Sequence, residues 1–206
     1  MSDFKVWQIA VGGFDSNFSY MVLHESGAAV LIDPCGDIGE IKRIFEKAGD
    51  VVPTAILLTH GHHDHVSGVG ETGKFFDAPV MGHPDCSFQL DAALVDRGRV
   101  DMGGGAFIEC VHSPGHTPDS VVYRLSDDSG IFTGDTLFVD WCGYCRAREM
   151  FDTMRNVIFP LSDSNTVFPG HDYGHAPTSP LGVEKKRNPF LAADNFENFK
   201  KALVDL

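Results

Sequence analysis

The chain has 206 residues, 43% hydrophobic and 22% charged, with a formal net charge of −13 and a pI near 5.0. That length suits one domain over 1–206 with a real core. No run approaches the roughly 20 apolar residues of a membrane helix, and an acidic chain without a Lys/Arg-rich run is a poor partner for nucleic acid. The start MSDFKVWQIAVGGF lacks a basic stretch followed by an apolar one, and five cysteines do not form a disulfide framework. A cytoplasmic protein is therefore expected, with no nucleic-acid or membrane partner.

Short apolar runs alternate with Gly/Pro-rich turns. Lys5 to Ala10, Ser19 to Leu23 and Ala28 to Ile32 read as strands of a meander. Ile38 to Ala48 has helical spacing, with Ile41, Ile44, Phe45 and Ala48 on one face and Gly49 as a stop. Thr54 to Leu58 is continuously apolar and reads as a buried strand leading into His60. A helix is expected near Ser67 to Phe76, a short strand at Pro79 to Met81, then a polar region. Strands follow at Phe107 to Val111, Ser120 to Leu125 and Gly130 to Phe132. Glu149 to Phe159 has helical period, Thr166 to Phe168 is the last strand, and Asn195 to Leu206 closes as an amphipathic helix. Lys185-Lys186-Arg187 reads as a solvated turn or helix start, with capture of an anionic substrate group as the other reading.

The sharpest signal is Thr59-His60-Gly61-His62-His63-Asp64-His65. Imidazole nitrogens bind zinc and similar ions at about 2.0–2.1 Å, and carboxylate oxygens bind at a similar range. In a tight turn His60 and His62 can face one way while Asp64 and His65 face another, so one loop can serve two metal ions. Gly61 permits the turn. Three further strand ends supply more donors: Pro114-Gly115-His116, Thr133-Gly134-Asp135 and Pro169-Gly170-His171. Glycine stands before each donor, where the backbone turns and the next side chain projects from the sheet end.

These segments, together with Leu31-Ile32-Asp33-Pro34 and Thr133-Gly134-Asp135-Thr136-Leu137-Phe138, resemble the metallo-β-lactamase superfamily, and within it the glyoxalase II (hydroxyacylglutathione hydrolase) branch. The resemblance implies an α/β fold, an αββα four-layer sandwich of two mixed β-sheets with the site along one edge. It implies a first metal held by His60, His62 and His116, a second held by Asp64, His65 and His171, and Asp135 bridging both. Zinc is the expected ion, with iron or manganese as alternatives, since all three accept these ligands. A dinuclear hydrolase of thioesters is implied, in which a metal-bridged hydroxide attacks the carbonyl and Asp64 and Asp135 hold the nucleophile. Asp33 reads either as an orienting partner of a ligand or as a plain strand-ending residue, and His63 as solvent-facing or supporting.

Two departures bear on substrate. The chain from Asp172 to Leu206 is too short for the helical C-terminal domain of glyoxalase II, which is expected to be absent. The segment Trp141-Cys142-Gly143-Tyr144-Cys145-Arg146 differs from the family's usual Gly-Cys-Gly run. Tyr144, Arg146 and Tyr173 remain candidates for holding substrate, and Phe14, Phe18 and Trp141 for pocket walls or core. Cys142 and Cys145 read as idle loop thiols, with a redox dithiol as the other reading. The alternatives in function are a mononuclear-iron persulfide dioxygenase, which shares much of this ligand set, and a lactone or phosphodiester hydrolase. His24, His83, His112 and His175 are expected at surface or structural positions, with His24 exposed on a hairpin.

Overall fold

The computed structural model describes residues 2–12 and 15–204; Phe14 lies outside them. β1 (Phe4–Gly12), β2 (Asn17–His24) and β3 (Ala28–Ile32) form an antiparallel meander. Helix α1 (Ile38–Ala48) then carries the chain to β4 (Val52–Leu57), which pairs parallel to β3. Asp37 accepts from the backbone N–H of Gly39 and Glu40, and Gly49, at φ +84°, ends the helix. After two single turns, α2 (His63–Val66) and α3 (Val69–Thr72), β5 (Val80–Gly82) and β6 (Ala92–Ala93) complete a six-stranded sheet in sequential order.

The second sheet has the order β12-β11-β10-β9-β8-β7. Its strands are β7 (Arg99–Gly103), β8 (Ala106–His112), β9 (Val121–Leu125), β10 (Gly130–Gly134), β11 (Thr166–Pro169) and β12 (Ser179–Pro180). Only the β10–β11 pair in this sheet is parallel. Between them α4 (Ala147–Thr153) continues into a π-helical turn (Met154–Ile158), closed by Phe159 N–H on the Met154 carbonyl. The last helices are α5 (Leu181–Arg187) and α6 (Phe196–Val204).

Strand alternation builds the layers. Tyr20, Val22, Val30, Ile32, Ala55 and Leu57 face the other sheet and meet Ile108, Val121, Tyr123 and Phe132. The alternating residues Met21, Ala29, Leu31, Ile56 and Leu58 face outward, onto Ile41 of α1 and Val66, Val69 and Phe76. On the far side Val122, Ile131 and Val167 are covered by Met150, Met154, Leu181, Phe190 and Phe199. Both faces of each sheet are thus buried, which is why the strands read as unbroken apolar runs. The result is an αββα sandwich, as the sequence led us to expect.

Several local expectations are corrected. The helix expected at Ser67 to Phe76 is broken: Gly68 sits so close to α1 that a Cβ there would meet Ile38 Cδ1 at 2.1 Å, and its N–H donates to Pro34. The polar region before Phe107 contains β6 and β7, edge strands too short or too polar to show a pattern. The helical period over Glu149 to Phe159 changes from α to π at Met154. His24 is buried, with its ring 5.1 Å from that of Phe4. Among the described residues no helix is long and apolar enough to cross a membrane.

Candidate metal centre

The two sheets are tied together along one edge. Val121 N–H donates to Thr59 (2.8 Å), Phe18 N–H to Gly170 (2.8 Å), and the Tyr123 hydroxyl to the Leu58 carbonyl (2.8 Å). The loops that leave β4, β8, β10 and β11 at this edge carry His60 to His65, His116, Asp135 and His171. Their donor atoms converge. His60, His62 and His116 form one group whose ligand atoms lie within 4.8 Å of one another, Asp64, His65 and His171 form a second, and His60, His65 and Asp135 form a third that overlaps both. Asp135 joins the two, with Oδ2 at 3.4 Å from His116 Nε2 and Oδ1 at 3.3 Å from Nε2 of both His65 and His171.

Glycines make this approach feasible. Gly134 has φ +47°, and a Cβ there would meet Thr59 Oγ1 at 2.5 Å. A Cβ on Gly170 would sit 2.6 Å from Asp135 Oδ1 and 2.8 Å from His65 Cε1.

Hydrogen bonding on the outer side of each ring reveals what the inner side can hold. A carbonyl only accepts, so the Nδ1 of His116, 2.7 Å from the Tyr144 oxygen, must carry its proton; so must Nδ1 of His171, 2.7 Å from the Asp15 oxygen. His65 Nδ1 donates to Asp33 Oδ2 at 2.9 Å. Thr59 Oγ1 gives its proton to Asp33 and can therefore accept from His60 Nδ1 at 3.1 Å. In the neutral rings, the Nε2 atoms of His60, His65, His116 and His171 are then bare lone pairs. Yet they face other acceptors. His65 Nε2 and His171 Nε2 lie 3.2 Å apart, both 3.4 Å from Asp64 Oδ2. His62 Nδ1 lies 3.1 and 3.0 Å from Nε2 of His60 and His116. Among the described residues, buried Asp135 Oδ1 has no hydrogen-bond partner. Lone pairs converging on lone pairs repel unless a cation sits among them. The nitrogen spacings also approach the roughly 3.3 Å that two imidazoles span at about 2.05 Å from a tetrahedral zinc. The donor set therefore fits a metal centre built from these histidines and carboxylates.

The titration of these groups carries the same strain. Burial pushes His60 and His116 below the ordinary histidine range, and neighbouring imidazoles add to it. Burial also works against a charged His65, but the carboxylates of Asp135 and Asp33 outweigh it and hold it well above that range. Burial would raise Asp135; instead His65 and His171 hold it well below the usual carboxylate range.

Of the other sequence candidates, Asp33 is buried at φ +48° and gathers three donors: His65 Nδ1, Thr59 Oγ1 and Thr59 N–H at 2.7 Å. It thus orients a donor ring and the loop beside it. His63 is exposed on α2. Tyr144 and Tyr173 line a cavity beside the donors with Phe138 and Trp141, while Arg146 is outside that lining and lies 3.4 Å from Glu149. Phe18 is core. Cys142 is buried and Cys145 half-buried; all five cysteines are free. His83 and His112 stack at 4.2 Å, and His175 pairs with Asp140 at 2.6 Å. Lys185 donates to the Leu161 carbonyl and lies 2.5 Å from Asp163. Two supporting residues had no sequence signal. Buried Asn17 donates to Asp64 Oδ2 at 3.1 Å, and Asp119 accepts the Gly61 N–H at 2.8 Å.

A two-sheet sandwich with a histidine and carboxylate cluster at one edge defines a class of metal-dependent enzymes. Residues 12–178 match the metallo-β-lactamase superfamily, and the chain belongs to it. It is 29% identical over 195 residues (89% of this chain, 85% of the relative) to a probable polyketide biosynthesis zinc-dependent hydrolase, BaeB, of Bacillus velezensis. It is 36% identical over 162 residues (76% of this chain, 62% of the relative) to a hydroxyacylglutathione hydrolase of Anaeromyxobacter dehalogenans. Among solved structures it is similar to ETHE1 from Myxococcus xanthus, with a TM-score of 0.84 and 28% identity over 98% of this chain and 90% of that one.

Proposed function

We propose that the protein is a dinuclear metal-dependent hydrolase of thioesters, acting on a small-molecule substrate. The observation that carries this reading is the pair of three-donor groups joined by the two oxygens of Asp135. His60, His62 and His116 would hold one ion, and Asp64, His65 and His171 the other. Two such ions, zinc in the first instance, supply Lewis acidity that makes water acidic enough to ionise near neutral pH and that polarises a carbonyl oxygen. The printed names of two relatives, a zinc-dependent hydrolase and a hydroxyacylglutathione hydrolase, support hydrolysis as the reaction.

The chain's own residues have defined tasks. Asp33, Thr59, Tyr144 and Asp15 lock four donor rings in one tautomer through Nδ1, so that Nε2 is always the free donor. Asn17 holds Asp64 Oδ2 in place. With Asp135, Asp64 would hold the attacking water by hydrogen bond or charge. The thiol beside Asp33 is a poor nucleophile: burial pushes Cys35 up to about 11.

Elemental analysis of the purified protein, followed by a thioester panel, tests the proposal. Two ions per chain with thioester turnover support it. One iron per chain, with oxygen uptake on glutathione persulfide and no hydrolysis, overturns it.

A further inference from the structure

Beside the donor cluster lies an open cavity of about 400 Å³ lined by Phe138, Trp141, Cys142, Gly143, Tyr144 and Tyr173. It shares its walls with both donor groups. The Tyr173 ring stacks on His171 (4.8 Å, 6°), and Phe138 stands edge-on to both, at 5.7 and 5.1 Å. On the other side Gly143 N–H donates to the Asp135 carbonyl (3.0 Å), and the Tyr144 carbonyl holds His116. A molecule seated here therefore abuts the reacting centre.

Among the described residues the lining is mainly aromatic and carries no charged side chain. Trp141, Tyr144 and Tyr173 are 38%, 93% and 40% exposed, and they are the only large aromatic residues exposed to this degree among the described residues. Exposed aromatic surface gathered in one concavity marks a binding surface. Charged side chains next to the lining are engaged with protein partners. Asp15 accepts the Tyr173 hydroxyl, Asp140 is paired with His175, and Arg146 lies against Glu149.

We infer that this cavity seats an uncharged, apolar arm of the substrate next to its scissile carbonyl, so that neutral thioesters with an aromatic or branched arm are preferred over thioesters of an anionic thiol such as glutathione. The inference deepens the thioester hydrolase reading and, as regards turnover, rests on it. Either side of the thioester can supply the arm, and the test separates the two.

The metal-loaded protein is assayed on phenylacetyl and acetyl N-acetylcysteamine, which vary the acyl side, and on S-benzyl thioacetate and S-acetylglutathione, which vary the thiol side. Burying a phenyl ring predicts at least about tenfold higher kcat/KM for the arm-bearing member of one of the pairs, and Trp141→Ala should shrink that ratio to about twofold. Equal values within both pairs, or a preference for S-acetylglutathione, overturn the inference. Binding is read separately in the Trp7→Phe variant, where Trp141 is the sole tryptophan. S-benzyl-N-acetylcysteamine, a thioether that cannot be hydrolysed, should quench its emission at concentrations at least about tenfold below S-methylglutathione. Such quenching without turnover of any thioester overturns the hydrolase reading and leaves the seat standing. Turnover without selectivity or quenching overturns the seat alone.

Discussion

Asp33 Oδ2 lies 2.9 Å from Nδ1 of His65, with both side chains out of solvent. The contact spans 32 positions of sequence and fixes which nitrogen of His65 carries a proton. In Asp33→Asn the amide N–H₂ can face Nδ1, move the proton to Nε2 and block the donor position. Metal affinity should fall about 10–100-fold with the fold retained. Competition with a chromogenic chelator measures this, and unchanged affinity would show that the contact does not orient the ring.

Asp135 reaches toward both donor groups, so its loss should be felt by both. Asp135→Asn keeps the volume but leaves one neutral oxygen for two cations. The expected result is at most one ion per chain and a drop in kcat of about a hundredfold or more. Elemental analysis and circular dichroism on one sample distinguish lost metal from lost fold. Two ions retained at full activity would rule out the bridging role.

Gly170→Ala needs no charge change. Its Cβ would lie 2.6 Å from Asp135 Oδ1 and 2.8 Å from His65 Cε1. Either β11 shifts or the donors part. Metal content should fall while far-UV circular dichroism is kept. Wild-type metal content in this variant would mean that the loop relaxes without cost.

Chelation should destabilise the whole chain, because ions bound only by the folded chain add their binding free energy to its stability. At a free metal concentration 100 times Kd the linkage is about 2.7 kcal/mol. For a chain of this size that is a fall in Tm of roughly 5–11 °C. Calorimetry with and without chelator reads it, and an unchanged Tm would mean that the folded chain holds no metal under those conditions.

Alkaline stability should report a buried thiol. Burial pushes Cys110 up to about 12 from an ordinary 9.0. Above about pH 9 the unfolded thiol loses its proton while the folded one keeps it, so unfolding releases a proton and stability falls as pH rises toward 12. The slope is up to about 1.4 kcal/mol per pH unit for one thiol. Urea melts at pH 8 and pH 10 should show a smaller loss in Cys110→Ala than in the wild type; equal losses would rule out this linkage.

Much of this protein was legible from order and spacing alone. The continuous apolar run Ala55-Ile56-Leu57-Leu58 marks a strand buried on both faces, and α1 runs from Ile38 to Ala48 as its apolar spacing and Gly49 predict. Glycine before each of His116, Asp135 and His171 marked the turns from which donors project. These features are local, set by a few neighbouring residues, and local preferences are what a sequence states directly. The pairing of distant groups is not. Only the tertiary structure shows that Asn17 steadies Asp64, that Asp119 holds Gly61, and that the Tyr144 and Asp15 carbonyls fix two imidazoles. It also decides that Gly68 must pack against Ile38, which breaks the expected helix. The sequence determined which atoms could bind a metal; the closure of two sheets at one edge decided which lone pairs meet, because that depends on distances between residues far apart in the chain.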